Sequence, residues 1–221
     1  MTPHSILAQT LLNLCLGGTV LLGYGQSQPV RVGSPCECCE GFYEQMPTRL
    51  SESTSLVGVG EPGKPLYISG IIYKADGRTP APGIILYVYH TDAAGHYADR
   101  AGNAPSVTDQ TPCAVRHGHL RGWVKTDQLG RYAFQTIRPG PYPGRHTAAH
   151  IHAIVKEPHL NEYYIADYLF SDDPLLTQPQ RRQAQALGGS GLVTLSRGQN
   201  GRWQGKRNIV LGANVPSYPI R

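Results

Sequence analysis

From residue 66 onward the chain becomes a series of short apolar, aromatic and β-branched runs separated by polar turns. Residues 66–73, Leu-Tyr-Ile-Ser-Gly-Ile-Ile-Tyr, predict a first strand, closed by the turn pair Asp76-Gly77. After a second turn at 80–83, residues 84–89 (Ile-Ile-Leu-Tyr-Val-Tyr) predict a second strand, ended by 92–95. Residues 121–126, 131–137 and 150–155 predict three more, with a turn at 127–130 between the first two. Such spacing predicts an all-β fold, an antiparallel β-sandwich with long loops and at most short helices. Residues 98–118 show no periodicity, and a loop of that length inside a compact domain usually carries function. Past Asp172-Asp173-Pro174, residues 180–187 predict one short helix. Residues 193–195 and 208–211 predict a last pair of strands around Gln199-Asn200-Gly201.

The first 65 residues differ in texture. Residues 6–22 are largely apolar and are followed by the small-residue stretch Gly23-Tyr24-Gly25. Residues 1–25 read as a secretory signal peptide, although no Lys or Arg precedes the apolar run. The run is interrupted by Asn13, Gly17 and Gly18, which speaks against a membrane-spanning anchor. The expectation is an exported protein, periplasmic or extracellular. Residues 26–65 read as an irregular, cysteine-containing arm, and residues 66–221 as the sandwich domain. Removing 1–25 leaves four cysteines, Cys36, Cys38, Cys39 and Cys113. An even number in an exported chain predicts structural disulfides, with connectivity left open.

Composition changes this picture in one respect. The 13 tyrosines greatly outnumber the 3 phenylalanines, and a phenol can pack, donate a hydrogen bond or ligate a hard metal. The net charge of +5 is dispersed, without the basic-aromatic stripe of a nucleic-acid binder.

The chemistry centres on His150-Ile151-His152. On a strand, alternate side chains share a face, about 6.6 Å apart along the chain, so two imidazoles can converge on one metal. Before them, the proline-stiffened turn Pro139-Gly140-Pro141-Tyr142-Pro143 holds Tyr142 with little freedom. Tyr97 follows the second strand and its turn; Tyr89 is its rival if the register differs. Two phenolates and two imidazoles form a hard, anionic set suited to Fe(III) more than to zinc. His117-Gly118-His119 is a second pair, but Gly118 argues for a turn, so a role at a pocket rim is expected. Glu157 and Asp173 read as solvated. No Gly-x-Ser-x-Gly elbow or nucleotide-binding glycine loop is present.

These motifs follow one order: Gly95-His96-Tyr97, Leu120-Arg121-Gly122, Thr126-Asp127, Gly130-Arg131-Tyr132, Pro139 to Pro143, and His150-Ile151-His152. In that order, over about residues 66–174, the chain resembles the intradiol ring-cleavage dioxygenases. The resemblance implies a non-haem Fe(III) cofactor held by Tyr97, Tyr142, His150 and His152, with Tyr142 the ligand that leaves when substrate chelates the metal. It implies cleavage of a catecholic ring between its two hydroxyl carbons, with both atoms of O2 inserted and a muconate-type diacid as product. It implies a small-molecule catechol and O2 as partners, no external reductant, and room for a homo-oligomer. Two departures stand out. The family's Arg three residues before the first ligand His is Thr147 here, with Arg145 nearby as a substitute. A family Gln falls on Asp167. Arg145 and Asp167 therefore join Tyr142 as expected catalytic residues. The alternatives are a non-catalytic, transthyretin-like binding module and an iron-binding relative that has lost activity.

Overall fold

The computed structural model describes residues 31–106, 108, 110–182, 186–198 and 201–219. The segment read as a signal peptide lies outside the described residues. Among those described, no helix is long and apolar enough to cross a membrane.

Two sheets face each other. The first is ordered β1 (Ser53–Ser55), β5 (Arg131–Ile137), β2 (Pro65–Tyr73), β10 (Trp203–Lys206) and β9 (Leu195–Arg197), with β11 (Ile209–Val210) also pairing β2. The second is ordered β4 (Arg121–Lys125), β3 (Ile85–Tyr89), β6 (His150–Lys156), β7 (Tyr163–Phe170) and β8 (Leu192–Val193). The all-β sandwich expected from the sequence is the observed fold. β2 shows why: its residues alternate between buried and half-buried, so Leu66, Ile68 and Ile72 enter the core while their neighbours face outward. They meet Phe134 of the same sheet and Leu86, Val88, Ile151, Ala153 and Val155 of the other.

The second sheet is buried on both faces. Leu86 and Val88 of β3 point into the main core, whereas Tyr87 and Tyr89 join Trp123, Ile154, Cys39 and Phe42 in a second apolar cluster. The arm supplies Cys39 and Phe42 from a single 3-10 turn, Cys39–Phe42. Arg121 fastens the arm by donating from Nη1 to the carbonyls of Gly41 and Glu44, and Trp123 Nε1 donates to the Phe42 carbonyl at 2.7 Å. Disulfides Cys36–Cys39 and Cys38–Cys113 complete the attachment. The second bridge ties the arm to α1 (Cys113–Arg116), which lies within the long loop after β3. The outer face of the second sheet is thereby covered except where a cleft remains.

Several local expectations need correction. The strand Tyr163–Phe170 was not anticipated, nor was β10. The last strands do not pair with each other: β9 pairs antiparallel with β10, and β11 runs parallel to β2. The expected helix at 180–187 is α2 (Gln178–Arg181), opened by a capping box between Thr177 and Gln180; residues 183–185 lie outside the described residues. Glu157 and Asp173 are buried, not solvated. Asp173 accepts from the Ala149 and Leu175 amides, and Glu157 accepts the hydroxyls of Tyr163 and Tyr218. Each carboxylate is tolerated inside because it is hydrogen-bonded.

Candidate metal centre

His150 and His152 project from the outer face of β6, where the period of two puts them beside each other with ring centroids 4.6 Å apart. Tyr89, directly across from His152 on β3, packs its ring against the imidazole at 4.7 Å. On the other side, the pairing of β6 with β7 slips by one residue between Ile151 and Ala153. The register places the extra residue in β7, opposite His152. Bulges of this kind re-aim side chains beside functional sites, and here Asp167 comes to lie with Oδ1 2.9 Å from His152 Nδ1.

The two tyrosines arrive on loops that are docked together. Gly140 donates its amide to the Asp92 carbonyl at 2.8 Å and accepts from Thr91 Oγ1. Gly95 makes the approach feasible: with φ at +89°, it faces the Pro141 carbonyl so closely that a Cβ would lie 2.0 Å from the oxygen. The outcome is Tyr97 Oη 2.7 Å from Tyr142 Oη. Tyr142 Oη also lies 3.1 Å from His150 Nε2 and 3.2 Å from His152 Nε2.

Four donor atoms thus converge. Ligand atoms sharing one ion at ~2.0–2.1 Å are themselves about 3 Å apart, which is the spacing seen around Tyr142 Oη. Both imidazoles are oriented by their far nitrogens, His150 Nδ1 by the Ala148 carbonyl at 2.8 Å and His152 Nδ1 by Asp167. Metal-binding histidines are usually held in this way. His150, His152 and Asp167 also form a cluster with ligand atoms within 4.8 Å. Because Asp167 sits on the Nδ1 side of His152, it cannot share an ion bound at Nε2. The residues present therefore fit a hard metal ion bound by the two phenols and the two Nε2 atoms.

The electrostatics agree. Burial, then the neighbouring Tyr142, raises the Tyr97 phenol well above its ordinary pKa. Burial raises Tyr142 too, against the opposing pull of the Tyr97 hydrogen bond and the Arg145 charge. A multivalent cation bound between them would supply positive charge that favours their ionised form. His150 is held below the usual imidazole value by burial and then by His152, so it is neutral and ready to ligate. Burial would raise Asp167, but the hydrogen bond from His152, together with electrostatic pulls from His152, His150 and Arg207, lowers it on balance and keeps the group anionic.

The expected site residues fall into distinct places. Tyr97, Tyr142, His150 and His152 come together, and Tyr89 does not join them, since its hydroxyl pairs with Tyr164 at 2.9 Å. Arg145 lines the adjoining cleft and is exposed. Asp167 is not on the cleft wall but behind His152, a positioning residue. His119 is spent on the Ala98 carbonyl and Glu61, so His117 and His119 form no joint site. The cleft has a volume of about 670 Å³ and is walled by Tyr89, Tyr97, Tyr142, Tyr164, His117 and His152. Sequence reasoning missed the arm's contribution, Glu37 and Cys38, which reach the cleft through the disulfide to the long loop. The even cysteine count was the one signal of that attachment.

A family model described as Dioxygenase matches residues 40–195. Among curated proteins, the protocatechuate 3,4-dioxygenase beta chain of Burkholderia cepacia is 30% identical over 123 residues, covering 53% of this chain and 49% of the relative. Chlorocatechol 1,2-dioxygenase of Pseudomonas sp. (strain P51) is 31% identical over 130 residues, covering 49% and 47%. The chain spans about half the length of these relatives. Two solved structures share the fold. An intradiol ring-cleavage dioxygenase of Tetranychus urticae has a TM-score of 0.53 at 19% identity over 75% of this chain and 88% of that one. Catechol 1,2-dioxygenase of Acinetobacter sp. ADP1 has a TM-score of 0.54 at 19% identity over 80% and 65%. With the family match extending over well more than half of its length, the chain belongs to the intradiol ring-cleavage dioxygenase family.

Proposed function

We propose that this protein holds a non-haem ferric ion through Tyr97, Tyr142, His150 and His152, and cleaves a catecholic ring between its hydroxyl-bearing carbons with O2, giving a muconate-type diacid. The observation that carries the proposal is the position of Tyr142 Oη, within 3.2 Å of Tyr97 Oη and of both Nε2 atoms. When bound, Fe(III) supplies Lewis acidity that lowers the pKa of a chelating catechol.

The chain's residues do the rest. Asp167 and the Ala148 carbonyl fix the imidazoles, so His150 and His152 present Nε2 to the same point. Tyr97 is followed by Ala98, whose carbonyl receives two bonds from His119, and so belongs to a fixed segment. Tyr142 sits in an exposed turn flanked by Pro141, Pro143, Gly144 and Arg145. It can swing aside without disturbing a strand, and its phenolate oxygen can take a proton from an incoming catechol hydroxyl. Arg145, on the cleft wall beside it, is the cation available to an anionic substrate. The aromatic walls suit a flat ring, and the volume suits a small molecule. Residues 1–25 favour action outside the cytoplasm.

The test is a visible spectrum of purified protein with metal analysis, before and after adding catechol. The expected result is one iron per chain, a phenolate-to-iron charge-transfer band, a band shift on chelation, and consumption of O2 with diacid formation. A protein that stays colourless after ferric loading overturns the reading. An iron-loaded, coloured protein that never opens the ring leaves the inactive-relative alternative.

A further inference from the structure

Arg207 sits in the short link between β10 and β11, which pair with successive parts of β2. Its main chain is pinned there. The amide donates to the Ser69 carbonyl at 3.0 Å, and the carbonyl accepts the Tyr132 hydroxyl at 2.8 Å. Gly70 makes room, since a Cβ at that position would lie 1.7 Å from the Arg207 oxygen. The side chain then crosses from the first sheet to the second. It lies over the Tyr168 ring, with Cζ 4.4 Å from the centroid, and Nη1 donates to the Ala166 carbonyl at 2.7 Å. The residue is 3% exposed, and among the described residues Nε and Nη2 have no hydrogen-bond partner.

Ala166 is one half of the bulge in β7. Ile165 pairs with Ala153 and Tyr168 with Ile151, so Ala166 and Asp167 together face His152. A bulge takes backbone polar groups out of the ladder, and buried ones need other partners. Here the Ala166 amide donates to the Leu187 carbonyl at 2.9 Å, and the Ala166 carbonyl takes Arg207. That carbonyl belongs to the peptide bond joining Ala166 to Asp167. A donor fixed on it therefore sets the direction in which the Asp167 side chain leaves the strand, toward His152 Nδ1. A neutral donor would cap the carbonyl at lower cost, because a guanidinium buried without a paired carboxylate is expensive. The cation adds a charge-assisted hydrogen bond, and its charge also acts on the Asp167 carboxylate.

On the ferric-site reading, we propose that Arg207 is a positioning residue of the metal centre: by holding the Ala166–Asp167 peptide it keeps Asp167 behind His152, and so governs how firmly His152 Nε2 is presented to the ion. The connection runs from the first sheet through the Ala166 carbonyl and Asp167 to His152. Arg207 acts through these groups and not by contact with the ion or the substrate.

The experiment is a double-mutant cycle on the full chain. Iron retention against a graded series of chelators is measured for the wild type, Arg207→Met, Asp167→Ala and the double variant. Arg207→Met is expected to weaken retention about tenfold, the low end for residues that orient a metal ligand. Because the loss passes through Asp167, it should be absent in the Asp167→Ala background. Arg207→Lys, which keeps a cationic donor, should recover part of it. An arginine that only supports the fold gives the same loss in both backgrounds, and that result overturns the inference. So does an Arg207→Met protein that retains iron like the wild type. Where Arg207→Met does not fold, Arg207→Gln, which keeps an amide donor without the charge, takes its place in the cycle; its smaller loss must again vanish without Asp167. If the wild type itself takes up no ferric ion, the metal reading falls and takes this inference with it.

Discussion

Asp167 Oδ1 lies 2.9 Å from His152 Nδ1, and it does so because β7 carries one extra residue opposite that histidine. A carboxylate behind a metal-binding imidazole fixes its tautomer, turns the ring toward the ion and raises its basicity. Asp167→Ala is expected to weaken iron binding by about 10- to 100-fold while leaving the fold intact. Iron retention against a graded series of chelators measures this. Asp167→Asn, which keeps an acceptor for Nδ1–H but not the charge, should fall between the two. Equal iron retention in all three proteins would mean that Asp167 does not orient His152.

A second prediction follows from the docking of the two tyrosine loops. At Gly95 the backbone has φ of +89° and a Cβ would strike the Pro141 carbonyl. Gly95→Ala has to strain the turn or push the Tyr142 loop away, at a cost of about 1–3 kcal/mol. The variant should melt several degrees lower and bind iron with a weaker charge-transfer band, because Tyr97 and Tyr142 no longer close on one point. Gly77→Ala is a control: its φ is also positive, but a Cβ there meets nothing. It should lose stability without losing the band.

The buried histidines predict how stability depends on pH. His90 is enclosed, with Nδ1 2.7 Å from the Thr91 carbonyl and Nε2 2.6 Å from Thr136 Oγ1. Burial lowers its pKa from 6.5 to about 4. Between these values the unfolded chain binds a proton that the folded chain does not, so stability rises with pH across this window and is lost as pH falls through it. The whole shift corresponds to about 3 kcal/mol. Denaturant midpoints of the wild type and His90→Gln, measured from pH 7 down to pH 4, should converge as the wild type loses this contribution. Parallel curves would exclude His90 as a source of acid sensitivity.

The parts of this structure that could be read from the sequence are those set by local pattern. β2 and β5 bury one face and leave the other half-buried or exposed, so their side chains display the pleat. His150-x-His152 was readable for the same reason. Tyr97 and Tyr142 emerged from the order of turn motifs around them. β7 escaped notice because the bulge at Ala166-Asp167 breaks its alternation, and its pairing partner is β6. The cysteine pairing and the Arg121 anchor depend on where the arm lands, which no local run encodes. Asp167 and His117 acquire their places from neighbours distant in sequence, Asp167 across a strand pair and His117 beside Tyr87 and Gly41.

The arm's attachment gives the last prediction. Cys38–Cys113 joins residues 75 apart in sequence and brings Glu37, Cys38, Arg116 and His117 to one side of the cleft. Closing a loop of that length restricts the unfolded chain by about 4 kcal/mol on the chain-entropy account. Cys36–Cys39 spans three residues and restricts it far less. Replacing Cys38 and Cys113 together by serine should therefore cost much more stability than replacing Cys36 and Cys39. It should also loosen the cleft wall, since the Arg116–Glu37 ion pair is exposed and too weak to hold the loop alone. Of the proposed iron ligands, His150 and His152 lie on β6, Tyr142 on the loop after β5, and Tyr97 at the start of the long loop, well ahead of Cys113, so the double variant should still take up iron and show its colour while its affinity for a catechol declines. Melting temperature, iron content and catechol titration on the same two preparations separate these effects. Loss of iron together with loss of the bridge would show that the arm supports the donor set itself, and not only the wall beside it.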